Sequence, residues 1–123
     1  MVFYHKNDIK IYEKSINFYK TWKNRVFVPI KYGEQNYDFI KTLQAPLYIS
    51  LDLDVLDPAF APGISHHEPG GLSTRELITI LHSIDVEIVG ADIVEYNPVR
   101  DVNNMTAMVA YKLLKEIVST MID

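Results

Sequence analysis

Apolar residues fall in short blocks along this chain, and their period changes from block to block. From Asp8 to about Asn24, Ile9, Ile11, Tyr12, Ile16, Phe18, Tyr19 and Trp22 recur among lysines, a helix-like period. Arg25 to Ile30 is short and β-branched and predicts a strand. Tyr32-Gly33-Glu34 marks a turn before a predicted helix over Asn36 to Leu43. After Pro46, Leu47-Tyr48-Ile49-Ser50-Leu51 places apolar residues on both faces, as an interior parallel strand does. Pro58, Pro62 and Pro69 with Gly63, Gly70 and Gly71 then exclude any regular element, so this stretch is a shaped loop.

The second half reads more simply. Ser73-Thr74-Arg75-Glu76 has the spacing of a capping box and should open a helix with Leu77, Ile80, Leu81 and Ile84 inward. Val86 to Tyr96 predicts a second buried strand. A last helix should start near Asn103 or Asn104, with Met108, Val109, Leu113, Ile117 and Met121 as its apolar stripe. Strand, helix, strand, helix in this order predicts an α/β fold, a parallel sheet with flanking helices. Residues 1–123 are expected to form a single domain.

Candidate chemistry sits at the strand ends. Asp52 and Asp54 close the first apolar run, and residues two apart on a strand share a face. Two carboxylates aimed together from a buried strand repel and resist desolvation unless a cation lies between them. Hard divalent metals serve that purpose. The pattern therefore fits a metal or substrate site, and it also fits a structural carboxylate cluster. Glu95, at the end of the second strand, would emerge at the same sheet edge. Asp57, just before Pro58, should fix its turn by accepting backbone N–H groups, and Asp92 should be structural. His67 is expected to face solvent, and Arg75 with Glu76 to form an exposed pair.

Asp52-Leu53-Asp54-Val55-Leu56-Asp57-Pro58-Ala59-Phe60-Ala61-Pro62-Gly63, followed by Pro69-Gly70-Gly71-Leu72-Ser73, resembles the signature of the ureohydrolase superfamily, the arginases and agmatinases. Gly90-Ala91-Asp92-Ile93-Val94-Glu95-Tyr96-Asn97-Pro98 is similar to that family's second strand motif. The loop from Ile64 to Gly71, with Asn97-Pro98-Val99-Arg100-Asp101 and Met105 to Ala110, is similar to the plant-type arginase branch. The resemblance runs from about position 47 to 118.

It implies part of a three-layer α/β/α sandwich and a manganese-dependent amidinohydrolase that releases urea from a guanidino substrate. Asp52 and Asp54 match two ligands of the family's binuclear manganese centre, and Glu95 matches the glutamate that binds the guanidinium. His66 stands where many members have a threonine near that group, so the resemblance offers substrate contact beside the alternative of an exposed loop histidine. The family's Gly-Gly-Asp-His and Asp-Ala-His-x-Asp motifs do not occur in this sequence, and its histidine near the leaving amine has no counterpart. The chain is thus expected to be an incomplete C-terminal part, inactive alone. L-Arginine or agmatine is the expected substrate; the alternative is a non-catalytic module that assembles with a complementary chain.

Composition narrows the remaining classes. A net charge of −4 and a pI near 5.5 argue against a nucleic-acid partner. No apolar run approaches membrane-spanning length. With no cysteine there is neither a disulfide framework nor a thiolate metal site, which points to the cytoplasm. At 123 residues and 48% hydrophobic content the chain can bury a modest core. A sheet of few strands leaves an open edge, so a homo-oligomer or a complementary chain is the expected macromolecular partner.

Overall fold

A computed structural model describes residues 45–122 together with Ile40, Lys41 and Leu43. The helix expected over Asp8 to Asn24 and the strand over Arg25 to Ile30 lie outside the described residues, as does most of the helix expected over Asn36 to Leu43. Four elements organise the rest: strand β1 (Leu47–Asp52), helix α1 (Thr74–His82), strand β2 (Ile88–Val94) and helix α2 (Met105–Ile122). A single 3-10 turn, Leu53–Val55, follows β1 directly.

The two strands pair in parallel, with Ser50 opposite Asp92 and Asp52 opposite Val94. Alternation along β1 sends Leu47, Ile49 and Leu51 into the core, while Tyr48 and Ser50 take the other face. Leu77, Ile80 and Leu81 from α1 and Leu113 and Ile117 from α2 join the same cluster. Both helices therefore cover one face of the sheet. Each fully buried Leu or Ile there contributes roughly 1.5–3 kcal/mol of transfer free energy. On the opposite face Asp92 accepts hydrogen bonds from the Tyr48 hydroxyl at 2.9 Å and the Ser50 hydroxyl at 2.6 Å. Among the described residues no helix covers that face, so they supply two layers of an α/β fold.

The helix starts follow from local chemistry. Ser73 caps α1 as expected: its Oγ accepts from the Glu76 N–H at 3.2 Å, and Glu76 Oε2 accepts from the Ser73 N–H at 2.8 Å. Glu76 is thereby committed to the cap rather than to a pair with Arg75. Three expectations are corrected. β2 runs from Ile88 to Val94, not from Val86 to Tyr96; at its carboxyl end Glu95 breaks the strand with a left-handed backbone, φ 66°. The first strand ends at Asp52, so Asp54 belongs to the 3-10 turn and not to a strand face. In α2 the buried line is Thr106, Leu113 and Ile117, whereas Met108 and Met121 are 64% and 40% exposed. The helical period turns Met108 away from that line, whereas Met121 follows Ile117 by one turn on the same side and is exposed at the carboxyl end of the helix.

Candidate active site

Asp52, Asp54, His66 and Glu95 come from three separate segments and meet beyond the carboxyl ends of β1 and β2. Asp52 terminates β1 and caps the 3-10 turn, its Oδ1 accepting the Asp54 N–H at 2.9 Å. That single bond turns the chain so that the second aspartate leaves the sheet. Asp54 Oδ1 then accepts the N–H groups of Ser65 at 3.0 Å and His66 at 3.2 Å. Its other oxygen lies 2.9 Å from His66 Nδ1. A carboxylate only accepts, so Nδ1 carries the proton in this contact. One ligand atom from each of Asp54, His66 and Glu95 lies within 4.8 Å of the other two.

Electrostatics match this crowding. Asp52 is pushed up from 3.8 to about 7, chiefly by burial, with the Asp54 N–H pulling the other way. The negative charges of Asp54 and Glu95 push it further, and His66 opposes them. A site with this balance favours either a proton or a cation on its carboxylates. Oxygen donors with one imidazole suit a divalent ion such as manganese.

Glu95 carries backbone strain. A left-handed backbone at a non-glycine residue costs of order 1–3 kcal/mol, and such positions cluster at functional sites. Asn103 and Asn104, with φ of 51° and 59°, share that conformation, which asparagine tolerates well. The loop from Pro58 to Gly71 is tied at both ends. Asp57 accepts from the Ala59 N–H at 2.8 Å and the Gly70 N–H at 2.7 Å, as expected of a turn-fixing aspartate. These N–H groups hold its carboxyl below the usual carboxylate range. Gly71 packs so close to this strand end that a Cβ there would sit 2.5 Å from the Asp57 nitrogen. His67 is exposed as expected, though its Nε2 lies 2.7 Å from the Pro62 carbonyl oxygen.

Several residues around the site carry no recognisable signal in isolation. Arg100 donates from Nη1 to the Ser65 carbonyl at 2.7 Å, steadying the loop that presents His66. The Tyr96 hydroxyl donates to Asp101 at 3.1 Å, and the buried Thr106 Oγ1 accepts the Gly63 N–H at 2.6 Å. The clue available in the sequence is Asp101, an aspartate placed shortly before a predicted helix.

Comparison with known proteins gives concordant matches. The Arginase family model matches residues 5–119. Arginase 1, mitochondrial, of Arabidopsis thaliana is 62% identical over 72 residues, which is 58% of this chain and 21% of that protein. Agmatinase of Bacillus subtilis (strain 168) is 43% identical over 75 residues, covering 58% of this chain and 26% of the agmatinase. The solved arginase from Medicago truncatula superposes with a TM-score of 0.56 at 52% identity, over 60% of this chain and 24% of that one. In each case the matched stretch is a small fraction of the relative's length.

Proposed function

Because the chain belongs to the arginase family, we propose that it carries metal-binding and guanidinium-binding carboxylates of a manganese-dependent hydrolase that releases urea. The observation that carries this reading is the meeting of Asp54, His66 and Glu95 at one end of a parallel sheet, with Asp52 close enough to feel the charges of all three. Open α/β sheets bind ligands at that end.

In this reading Asp52 and Asp54 are the manganese ligands. Their oxygen donors fit the ion in kind, and the raised pKa of Asp52 is what a buried carboxylate with like charges beside it shows without a cation. When bound, manganese supplies Lewis acidity and lowers the pKa of water towards neutrality. Glu95 takes the substrate guanidinium, whose planar N–H donors pair with a carboxylate in bidentate fashion. His66 borders the same space and contacts the substrate. Water adds to the guanidinium carbon, and cleavage of its bond to the substrate nitrogen yields urea and an amine.

Two aspartates are too few for a binuclear centre, so the remaining ligands come from outside these 123 residues, and the chain alone is inactive. L-Arginine is the proposed substrate, since identity is higher to the plant arginase than to the agmatinase, 62% against 43%. Agmatine is the alternative. The second reading is a non-catalytic module that assembles with a complementary chain or another copy. The sheet face around Tyr48, which is 54% exposed, favours such a contact. No described helix is long and apolar enough to cross a membrane. The proposed compartment is a reducing one: the absence of cysteine fits the cytoplasm, and it equally fits the mitochondrion for which the Arabidopsis relative is named.

Urea release tests the proposal. The chain is assayed with manganese and arginine or agmatine, first alone and then with a second chain carrying the two missing ligand motifs. Background release alone and turnover in the mixture are expected. Turnover by the chain alone on the order of 1 per second or more contradicts the ligand count. Agmatine consumed in preference to arginine overturns the substrate assignment.

A further inference from the structure

Asp101 makes more hydrogen bonds than a helix cap needs. Its Oδ1 accepts the N–H groups of Val102 at 2.8 Å and Thr106 at 2.9 Å. Its Oδ2 accepts the Ala107 N–H at 3.0 Å and the Tyr96 hydroxyl at 3.1 Å. The left-handed residues Asn103 and Asn104 immediately precede α2, and Asp101 reaches past them to its first turn. The Met105 and Met108 N–H groups are taken by the carbonyls of Val102 and Asn104, so the first turn of α2 is fully satisfied.

The same carboxylate is joined to both segments that carry Glu95 and His66. On one side it holds Tyr96, the neighbour of Glu95. On the other, Thr106 accepts the Gly63 N–H at 2.6 Å, and Gly63 packs against Asp101 so tightly that a Cβ would lie 2.7 Å from the Asp101 Cβ. The Gly63 carbonyl accepts the Asn97 N–H at 2.8 Å, and Ile64 bridges to Tyr96, which ties the two sides together. Two residues beyond Gly63 begin the N–H donors that hold Asp54.

We propose that Asp101 is a positioning residue: through Tyr96, and through Thr106 and Gly63, one carboxylate fixes where Glu95 and His66 stand relative to Asp54. The inference rests on the assignment of Glu95 and His66 to substrate and of Asp54 to metal made above. It requires a carboxylate, because four donors converge on two oxygens. An asparagine would turn an N–H₂ towards either the Ala107 N–H and the Tyr96 hydroxyl or the Val102 and Thr106 N–H groups, leaving donors facing donors. Gly63 is required for a separate reason, the space that Asp101 occupies.

Amide hydrogen exchange on the 15N-labelled 123-residue chain tests this without assuming any activity. Asp101→Asn should speed exchange at Gly63, Ser65 and His66 by about tenfold more than at the core amides of α1. Thr106→Val should do the same at Gly63, and Thr106→Ser, which keeps the hydroxyl, should restore it. Leu113→Ala is the control for mere destabilisation and should speed all of these amides by one common factor. If Asp101→Asn and Leu113→Ala give the same uniform pattern, Asp101 is only a helix cap and the proposal is overturned. Should Asp101→Asn fail to fold, the Thr106 pair decides: Gly63 exchange unchanged in Thr106→Val overturns the relay, and a selective rise reversed in Thr106→Ser supports it. Paramagnetic broadening of the Ser65 and His66 amides by added manganese is read on the same samples. Weak binding through Asp54 and its neighbours suffices for broadening at millimolar manganese, so its absence in the unsubstituted chain counts against the metal assignment, while the exchange pattern still decides the role of Asp101.

Discussion

Asp52 Oδ1 accepts the backbone N–H of Asp54 at 2.9 Å, so the first aspartate of the motif sets the turn that aims the second. One residue is thus both a cap and a member of the charged cluster. The two roles separate by substitution. Asp52→Ala removes the cap and should lower stability by about 1 kcal/mol relative to Asp52→Asn, which keeps a cap acceptor without the charge. Urea denaturation of the two variants checks it.

Asp52 also makes the metal-free chain sensitive to pH. Its folded value, about 7, lies above its ordinary value of 3.8, so the folded state holds a proton that the unfolded state has released. That contribution is present in full below about pH 4 and is lost as pH rises through about 7. Denaturation midpoints measured without metal should therefore contain a component that falls across this window. Asp52→Asn should remove that component, and added manganese should reduce it by taking the place of the proton.

Strand β1, the α1 capping box and the turn-fixing role of Asp57 were legible in the sequence, because each depends on neighbours within a few positions. The convergence of Asp52, Asp54 and Glu95 was legible too, from the order of elements alone. The route to it was not. Period-two reasoning placed Asp54 on a strand face, yet the Asp52 side chain ends the strand and starts a 3-10 turn. Glu95 read as a strand residue because β-propensity does not register a left-handed backbone, which is imposed by contacts made elsewhere. Asp101 stood out only as an aspartate ahead of a helix, and Thr106 carried no signal, because their partners, Tyr96 and Gly63, are brought to them only by the fold.

The orientation of α2 gives a third prediction. Leu113 is fully buried and Met108 is 64% exposed, although both belong to the apolar stripe expected from the sequence. Leu113→Ala should cost about 2–5 kcal/mol, and Met108→Ala within about 0.5 kcal/mol of zero. Equal costs for both would mean that another surface covers Met108 in solution.

Strain at Glu95 gives a fourth. Glycine adopts its φ of 66° freely and alanine does not. Glu95→Gly should be more stable than Glu95→Ala by about 1 kcal/mol, with both lacking the carboxylate. Thermal unfolding of the pair measures it directly.

The proposed division of labour gives Asp54 to the metal and Glu95 to the guanidinium. Manganese content after dialysis, measured with urea release on the assembled hydrolase, tests it most directly. Glu95→Gln should keep its manganese and lose activity by about a hundredfold or more, whereas Asp54→Asn should lose the metal itself. A Glu95→Gln protein that sheds manganese, yet turns over normally once the metal is restored, contradicts the assignment.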